Sequence, residues 1–431
     1  MRPPLPPGPY LVVGLARSGT AVGRALHARG ERVTGYDAAE KAPLEGIEIV
    51  TGGDGTALLD AAACVVKSPG VPREAPVIAT ALGRDMPVLG ELELAWRLLP
   101  NELIAVTGTN GKTTTVELIG AIHRAAGLPV EVAGNVGRAL STLLLEAPAP
   151  GATIVCEASS FQLEDTLAFA PDAAVLLNLT EDHLDRHHSF ERYREAKLRV
   201  FVNQHKDAIA VLPEQLAHLH VGEAQRILFG AGEHCELRVS DATISWRGEA
   251  LITLEELRLR APLEDALAAA AVTLARGLPP TAVCDALAGF RGVAHRLEDL
   301  GALGGVTYVN DSKATNVAST LAALRSFEPG SILLILGGQG KSQDFAPLRA
   351  PIAERVAHTY LIGQDAPLIE AALTGLPCTR TETLEQAVEL AARRAQPSQV
   401  ILLSPACASF DQFQNFEERG NAFRNLMPRQ A

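Results

Sequence analysis

The sequence contains few cysteines, and their spacing argues against the usual cysteine-based sites. Six cysteines lie far apart along 431 residues, and none belongs to a Cys-x-x-Cys pair. Disulfide-rich domains and zinc ribbons need closely spaced cysteines. The pattern therefore indicates buried, reduced thiols in a cytosol and argues against a disulfide framework or a zinc site.

Long apolar runs and an excess of positive charge are also missing. No uninterrupted apolar run approaches the roughly 20 residues of a membrane span. The proline-rich N-terminus lacks the apolar segment of a signal peptide. The net charge of −12 argues against a nucleic-acid partner, which requires a basic face. We therefore expect a cytoplasmic protein with no membrane insertion and no nucleic-acid partner.

The chain does contain enough apolar sequence for several hydrophobic cores. Hydrophobic residues make up 47% of it and charged residues 20%, as in soluble globular proteins. A length of 431 residues corresponds to about three domains. We place their boundaries at 1–95, 96–291 and 292–431.

A glycine-rich segment, Ala105-Val-Thr-Gly-Thr-Asn-Gly-Lys-Thr-Thr-Thr115, lies between an apolar strand and a segment of helical spacing. Gly108 and Gly111 let backbone N–H groups turn inward, Lys112 supplies a positive charge, and the Thr113 hydroxyl can ligate Mg²⁺. The full P-loop pattern has glycine where this chain has Val106. The segment predicts a shortened phosphate-binding loop, and the alternative is a chance glycine turn on the surface.

The N-terminal region begins with a strand–helix–strand pattern that ends at Asp37. This pattern is typical of a dinucleotide-binding fold, in which the acidic residue contacts a ribose. Gly14 and Gly19 fit the glycine fingerprint, but Ala16 occupies its middle position, which disfavours a nicotinamide cofactor. A nucleotide sugar could place its diphosphate on the same helix N-terminus. A further strand leads into the turn 68–72 at the same sheet edge.

Acidic and histidine residues follow two buried strands of the central region. Glu157 ends the strand 151–157, where a Mg²⁺ ligand beside a phosphate loop would lie; the alternative is a solvated strand end. The loop 178–188 contains two Asp, three His and one Arg. This composition indicates a metal or phosphate site.

The helix that begins after Ser189 carries a lysine on its apolar stripe. Phe190, Tyr193, Lys197 and Phe201 recur at three- and four-residue spacing. Such a lysine either extends its apolar stem to water or lies in a low-dielectric pocket that lowers its pKa and frees its amine for chemistry.

Strands and helices alternate again in the C-terminal region. The strands 306–310, 332–336, 359–362 and 400–403 are almost wholly apolar, which predicts a parallel sheet covered on both faces. Polar loops follow the first, second and fourth of them, and ligands bind at the carboxyl edge of such sheets. We predict an α/β protein with an N-terminal Rossmann-like nucleotide-sugar domain, a central P-loop-type ATPase domain and a C-terminal Rossmann-like domain.

Together these motifs resemble those of the Mur ligase family of peptidoglycan synthesis, across all three predicted domains. The shared segments are the short phosphate loop, Asn178-x-x-x-Asp-His-Leu-Asp-Arg-His187, Lys197 in Ala-Lys-Leu-Arg, His295-Arg296, Asn310-Asp-Ser-Lys-Ala-Thr-Asn316 and Gly337-Gly-x-Gly-Lys341. The segment 404–420 is similar to the member that adds D-glutamate. The resemblance implies an ATP-dependent ligase that joins D-glutamate to UDP-N-acetylmuramoyl-L-alanine through an acyl phosphate, and we expect a monomer.

The resemblance also implies roles for individual residues. Catalysis would use Lys112, Glu157, His183 and Lys197. Two Mg²⁺ ions would be held by Thr113, Glu157, His183 and Lys197, the lysine as a carbamate. ATP would contact Gly108, Thr109, Asn110, Gly111, Lys112, Thr113, Thr114, Arg296 and Asp311. The UDP substrate would contact Gly14, Leu15, Arg17, Ser18, Gly19, Asp37, Ser68, Gly70, Asn135, Gln162 and His183. D-glutamate would contact Lys313, Thr315, Lys341, Ser409 and Phe416.

One position departs from the family pattern, and two other functions share parts of it. The family places an Asn that reaches adenine where this chain has Asp265, which accepts hydrogen bonds but cannot donate one. A folate polyglutamylating ligase would share the phosphate loop and Lys197 but lack the nucleotide-diphosphate pocket. A non-catalytic nucleotide-binding module would not need Glu157, His183 and Lys341 as well.

Overall fold

The computed structural model describes residues 2–257, 262–290, 292–340 and 343–427. These residues form two compact units. The first contains 2–257 and 263–290, and the second contains 262 and 292–427 with the stated gap.

The first unit begins with a five-stranded parallel sheet in the order β3-β2-β1-β4-β5. Its strands are β1 Tyr10–Val13, β2 Val33–Asp37, β3 Glu48–Thr51, β4 Cys64–Lys67 and β5 Val88–Gly90, and its helices are α1 Arg17–Ala28, α2 Pro76–Gly83 and α3 Glu91–Leu98. The strand order reverses between β1 and β4, and the turns after these two strands meet at the sheet's carboxyl edge. A ligand cleft is expected at such a reversal.

A nine-stranded sheet follows in the same unit, in the order β14-β13-β12-β11-β10-β9-β6-β8-β7. Its strands are β6 Leu103–Thr107, β7 Val130–Gly134, β8 Thr153–Glu157, β9 Ala173–Leu176, β10 Ile209–Pro213, β11 Gln225–Gly230, β12 Leu237–Ser240, β13 Thr243–Trp246 and β14 Glu249–Thr253. The accompanying helices are α4 Lys112–Ala125, α5 Leu143–Glu146, α6 Ser160–Leu163, α7 Leu184–His187, α8 Phe190–Val202, α9 Leu263–Ala275 and α10 Pro280–Gly289. Only the pairings of β12 with β13 and of β13 with β14 are antiparallel.

Two buried carboxylates of α3 tie the two sheets of this unit together. The Glu93 carboxylate accepts hydrogen bonds from the backbone N–H groups of residues 167–169 and from Arg97. The Glu91 carboxylate accepts from the Ser141 N–H at 2.7 Å, and burial raises its pKa. Because buried carboxylates are costly without such donors, these contacts fix how the first sheet meets the second.

The second unit contains a six-stranded sheet in the order β15-β16-β20-β17-β18-β19. Its strands are β15 Glu298–Leu303, β16 Val306–Asn310, β17 Ile332–Gly337, β18 Val356–Ile362, β19 Cys378–Arg380 and β20 Val400–Leu403. Its helices are α11 Val317–Leu324, α12 Arg349–Arg355, α13 Ala366–Ala372, α14 Leu384–Arg394 and α15 Phe416–Leu426. β15 is antiparallel to β16, and the other pairs are parallel.

Short 3₁₀ turns span Thr56–Ala61, Leu140–Thr142 and Glu214–Leu216 in the first unit and Ala346–Leu348 in the second.

The α/β class predicted from the sequence is confirmed, and the apolar strands predicted in the C-terminal region are the buried strands β16, β17, β18 and β20. The strands β3, β5, β15 and β19 were not predicted. Each lies at an edge of its sheet, where one side of the backbone is unpaired and the apolar pattern is weak. Within the described residues, no helix combines the length and apolar character needed to cross a bilayer.

Candidate active site

The glycine-rich segment forms the turn between β6 and α4. Gly108 has φ +151° and Gly111 has φ +86°, backbone conformations that side-chain-bearing residues rarely adopt. A Cβ at Gly111 would lie 2.1 Å from Asp265 Oδ1, so a larger residue does not fit there. Val106, which replaces the first P-loop glycine, is a fully buried residue of β6. The turn therefore begins later than in a full P-loop and is shorter.

The Asn178 side chain braces this turn from the end of β9. Its Oδ1 accepts hydrogen bonds from the N–H groups of Thr109 at 3.0 Å and Asn110 at 2.9 Å. The Thr109 hydroxyl in turn lies 2.9 Å from the Tyr193 hydroxyl. The loop is thus held in shape by protein groups, and the start of α4 at Gly111–Thr113 is left as the expected phosphate contact.

The Glu157 carboxylate, at the end of β8, contacts both Asn135, which follows β7, and Thr113, in the first turn of α4. The Thr113 hydroxyl donates to Glu157 Oε2 at 2.5 Å, and Asn135 Nδ2 donates to Glu157 Oε1 at 3.1 Å. The Lys112 ammonium donates to the Gly108 and Thr109 carbonyls at 2.9 and 2.8 Å. The structure therefore brings the carboxylate at the end of β8 to the hydroxyl of Thr113 in the first turn of α4, next to the ammonium-bearing Lys112.

Lys197 is buried beneath the same loop. Its side chain is 2% exposed, its Nζ donates to the Gly108 carbonyl at 2.7 Å, and it lies 4.7 Å from the centre of the Tyr193 ring. Burial, aided by the charge of Lys112, lowers the pKa of Lys197 well below its ordinary value. Of the two interpretations from the sequence, the structure favours the low-dielectric pocket over extension to water.

The histidines of the loop after β9 differ in exposure. His183 has φ +52°, and its ring is 40% exposed and packs 4.8 Å from the Phe161 ring. His187 is buried, its Nε2 lies 3.0 Å from the Ser160 hydroxyl, and burial lowers its pKa. His183 is therefore the histidine of this pair that can reach a ligand.

The predicted diphosphate site lies at the carboxyl edge of the N-terminal sheet. Gly14 has φ +86°, and a Cβ at Gly19 would lie 1.8 Å from the Gly14 carbonyl oxygen. The Leu15 N–H donates to Asp37 Oδ2 at 2.7 Å, and the Ser18 and Ser68 hydroxyls are 3.1 Å apart. The glycines let α1 start close to the turn after β1, so its N-terminus faces this edge.

Side chains connect this edge to the phosphate-loop sheet within the same unit. Arg17 donates to the Gly137 carbonyl at 2.5 Å, and Arg186 donates to the Val71 carbonyl at 3.2 Å. The fully buried Lys67 pairs with Asp165 at 2.6 Å. The turn 68–72 is therefore held by residues of both sheets.

Three other predicted residues of this unit differ in how open their surroundings are. No atom lies within 4 Å of a Cβ built at Gly70, so the backbone there can approach a ligand. Gln162 is 4% exposed, and its Oε1 accepts from the Ser159 N–H at 3.0 Å. Thr114 is 1% exposed. The predicted ligand contacts of these three residues, like those of the other site residues, stay predictions.

In the second unit, the polar loops after β16, β20 and β17 are neighbours because these strands are adjacent. The Ser404 hydroxyl donates to Asp311 Oδ2 at 2.8 Å, and the Gln339 and Ala408 backbones pair. Asp311 is 2% exposed, and burial raises its pKa to about 6, against the opposing charge of Arg296. The predicted convergence of these loops on one sheet edge is present in the structure.

The predicted D-glutamate residues lie on the same loops and on α15. The Lys313 ammonium lies 5.4 Å from the centre of the half-buried Phe416 ring. Thr315 is half-buried and follows Lys313 in the loop after β16, and Ser409 is 2% exposed. Lys341 lies outside the described residues.

Arg419 was missed as a site-organising residue. It is 1% exposed, and its guanidinium donates to the Ser312 hydroxyl, the Ser312 carbonyl and the Cys407 carbonyl at 2.9, 2.7 and 3.1 Å. It therefore joins α15 to two of the loops. Its position three residues after Phe416 and four before Phe423 places it on the apolar stripe of α15, a signal that resembles that of Lys197.

Comparisons with known proteins agree with this arrangement. Residues 106–262 match the model of the Mur ligase middle domain, and residues 295–407 match that of the Mur ligase, glutamate ligase domain. The UDP-N-acetylmuramoylalanine–D-glutamate ligase of Acidobacterium capsulatum is 40% identical, over 97% of this chain and 95% of its own length. The ligase of the same name from Geobacter metallireducens is 41% identical, over 96% of each chain.

A solved structure shares the fold at low sequence identity. The crystal structure of MurF ligase from Thermotoga maritima, in complex with ADP, matches with a TM-score of 0.60 at 16% identity, over 98% of this chain and 95% of that one. Structural similarity at 16% identity shows a shared fold only, whereas identities of about 40% over nearly the full length show the family. The chain therefore belongs to the Mur ligase family, within the group of UDP-N-acetylmuramoylalanine–D-glutamate ligases.

Proposed function

We propose that this chain joins D-glutamate to UDP-N-acetylmuramoyl-L-alanine at the expense of ATP, a step of peptidoglycan precursor synthesis. The observation that carries the proposal is the identity of about 40% to D-glutamate ligases over nearly the whole chain. The family uses ATP, and the phosphate loop of the first unit suits its γ-phosphate. ADP and inorganic phosphate are the expected by-products.

The reaction needs activation because a carboxylate is a poor electrophile. In the proposed sequence, a carboxylate oxygen of the substrate's alanine attacks the γ-phosphorus, and ADP leaves. The amine of D-glutamate then attacks the acyl carbon, inorganic phosphate leaves, and the nitrogen loses a proton as the amide forms. The protein's tasks are to position the reactants and to stabilise the negative charge that spreads over the phosphoryl oxygens.

The phosphate loop supplies the positive charge for this step. The Lys112 ammonium bonds two carbonyls of its own loop and can turn from them to the β- and γ-phosphates. Thr113 and Glu157 offer a hydroxyl and a carboxylate 2.5 Å apart, oxygen donors of the kind that Mg²⁺ prefers. These two residues would hold one Mg²⁺ ion, and His183 would be a ligand of a second Mg²⁺ ion. Bound Mg²⁺ would neutralise phosphate charge.

Lys197 fits the proposed carbamate better than a permanent cation. Carbamate formation requires a neutral amine, which attacks CO₂ and releases one proton. The lowered pKa of the buried Lys197 raises the fraction of the neutral amine at any given pH. The product would be a carboxylate-like group that, together with His183, would suit the second Mg²⁺. A carbamate would also reverse the repulsion between Lys197 and Lys112.

The acceptor substrate would bind along the carboxyl edge of the N-terminal sheet and end at the phosphate loop. The uridine diphosphate would bind to Gly14–Gly19, Asp37 and the turn that contains Ser68 and Gly70. Asn135 and His183 would contact the muramoyl part. Asn135 already bonds Glu157, so it links the acceptor to the proposed metal ligand.

The second unit would supply the amino acid. Lys313 and Lys341 suit the two carboxylates of D-glutamate, with Thr315, Ser409 and Phe416 completing the pocket. Arg296 and Asp311 would contact ATP. The monomeric state and cytoplasmic location expected from the sequence stay predictions.

The test is ADP release from ATP with UDP-N-acetylmuramoyl-L-alanine as acceptor. D-glutamate should support turnover, whereas L-glutamate, L-alanine and diaminopimelate should not. Turnover with another amino acid and none with D-glutamate would overturn the proposed specificity. Binding of the UDP-linked acceptor without any amino acid would separate the proposal from a folate polyglutamylating ligase, which lacks that site.

A further inference from the structure

A histidine, a cysteine and a glutamate meet at the end of the central sheet, apart from the residues assigned to ligation. Glu214 follows β10, and His234 and Cys235 close the turn after β11. Because β10 and β11 are parallel neighbours, with Pro213 opposite Phe229, their carboxyl ends lie side by side. This cluster was not predicted, because Glu214 is distant in sequence from His234 and Cys235 and the three residues form no local zinc-binding pattern.

The ligand atoms of these residues are close enough for one ion. One ligand atom from each of the three lies within 4.8 Å of the other two, and Cys235 Sγ is 3.6 Å from Glu214 Oε2. Tetrahedral zinc with bonds of about 2.0–2.3 Å separates its ligands by roughly 3.3–3.8 Å. The Glu214–Cys235 pair already has this spacing, and the exposed His234 ring can rotate to meet it.

The backbone around Glu214 is built to hold its carboxylate in place. The Gly232 N–H donates to Glu214 Oε2 at 2.7 Å, and the Ala231 N–H donates to Oε1 at 3.3 Å. A Cβ at Gly232 would lie 2.3 Å from Glu214 Oε2 and 2.8 Å from His234 Cε1, so a larger residue would displace these two side chains. A carboxylate oxygen has two lone pairs and can keep such a bond while it ligates a metal. Bonds of this kind orient metal ligands.

The charge state of the pair also suits a bound cation. The Cys235 thiol donates a hydrogen bond to Glu214 Oε2, so the two groups already face each other. A metal ion would displace the thiol proton, and its charge would neutralise the resulting thiolate and the Glu214 carboxylate.

We propose that Glu214, His234 and Cys235 form a binding site for a zinc-class divalent ion. Thiolate with imidazole and carboxylate selects zinc or a neighbouring transition ion over Mg²⁺, which prefers oxygen ligands. A cleft of about 410 Å³ borders His234 and Cys235, so an ion could approach these two ligands from solution. The ion would join the ends of β10 and β11. β10 lies two strands from β6, roughly 10 Å across the sheet.

Cobalt substitution tests the site because Co²⁺ bound to thiolate gives a near-ultraviolet charge-transfer band. The metal-free full chain should bind one equivalent of Co²⁺ with this band, and Zn²⁺ should displace it. Co²⁺ at the proposed Mg²⁺ sites gives no such band, because their ligands include no sulfur. Cys235→Ser should abolish the band. His234→Ala, a change at an exposed side chain, should weaken Co²⁺ binding by at least about tenfold.

Cys284→Ser is the matched control. Its thiol is half-buried and bonds the Leu251 carbonyl, so this variant should keep the band. Absence of the band from the unsubstituted chain would overturn the site. So would a band that survives Cys235→Ser, or one that Cys284→Ser removes. A His234→Ala chain with unchanged Co²⁺ affinity would remove His234 from the ligand set and refute the three-residue site.

Discussion

The buried carboxyl group of Asp311 leads to a prediction in which stability and activity change in opposite directions. Asp311 Oδ2 accepts from the Ser404 hydroxyl at 2.8 Å, and Oδ1 accepts from the Leu297 N–H at 3.2 Å. These two bonds do not compensate for the loss of water, because burial still raises the pKa from 3.8 to about 6. Asp311→Asn keeps the shape of the side chain and removes its charge.

The pKa of Asp311 determines the sign and size of the effect. Between pH 3.8 and about 6 the folded chain binds a proton that the unfolded chain does not, so stability falls as pH rises through this window. Above this pH window, the ionised Asp311 lowers the free energy of unfolding by an amount set by the full difference between the folded and unfolded pKa values. At about 1.36 kcal/mol for each pKa unit, that cost is about 3 kcal/mol. At pH 5 it is roughly half as large.

Asp311→Asn should therefore stabilise the second unit by up to about 3 kcal/mol at pH 7.5 and by about half of that at pH 5. The amide oxygen can still accept from the Leu297 N–H, and the amide nitrogen can donate to the Ser404 hydroxyl, which rotates to accept. Ligase turnover should fall on the order of 100-fold, because Asp311 is proposed to contact ATP.

Hydrogen exchange of the β20 amides measures the stability change, since core strands exchange through large-scale opening. At pH 7.5, exchange in residues 400–403 should slow by up to about 150-fold, the equivalent of 3 kcal/mol. Glu382→Gln is the control, because it removes a carboxylate that is exposed to water. It should change neither exchange nor turnover.

Equal stability of the Asp311→Asn and unsubstituted chains at pH 7.5 would refute the reasoning about burial. A stabilisation that is the same at pH 5 and pH 7.5 would show that titration of Asp311 is not its cause. Full ligase turnover in the stabilised variant would remove Asp311 from the ATP site while leaving the electrostatic argument intact.

Three further predictions concern the first unit. Gly19→Ala should destabilise it by about 3 kcal/mol or more in urea unfolding, because the Cβ meets the Gly14 carbonyl. Gly30→Ala, with φ +80° but open space around the Cβ, should cost only about 1–2 kcal/mol; equal costs would contradict the packing argument. Lys197→Ala should lose most ligase turnover and regain part of it with added acetate; no rescue would count against the carbamate. Asp265→Asn should lower the KM for ATP by about tenfold, since an amide can both donate to and accept from adenine. An unchanged KM for ATP would place the adenine elsewhere.

The parts of the site that were predictable are those with a local pattern. The strand, glycine turn and helix around Gly111 are contiguous, so the loop follows from its own sequence. Glu157 ends a strand with an apolar centre at 154–156, and adjacent parallel strands bring such ends together. Lys197 stood out because the helical period placed a charge among apolar residues.

The parts that were missed depend on partners distant in sequence. Asn178 belongs to a recognisable motif, but its role as a brace requires Thr109 and Asn110, nearly 70 residues earlier. Glu91 and Glu93 are the acidic residues in the first turn of α3, a common place for exposed carboxylates, yet both are at most 1% exposed because α3 lies between two sheets. Burial of this kind is a property of how two sheets pack, and no single segment encodes it.

The two buried cations on helical apolar stripes, Lys197 and Arg419, show how a structure separates positioning from chemistry. Arg419 uses its guanidinium nitrogens in three hydrogen bonds to Ser312 and Cys407, and its pKa, which burial lowers to about 10, still keeps it charged at neutral pH. Lys197 makes one hydrogen bond within the described residues, to the Gly108 carbonyl, and faces a second ammonium, that of Lys112. An ammonium has three donors, and leaving two unused in a buried site favours the neutral amine. Arg419 cannot respond in this way because a guanidinium keeps its proton. The same sequence pattern therefore yields a fixed brace at one position and, at the other, an amine with a lowered pKa, and the number of acceptors around the cation distinguishes them.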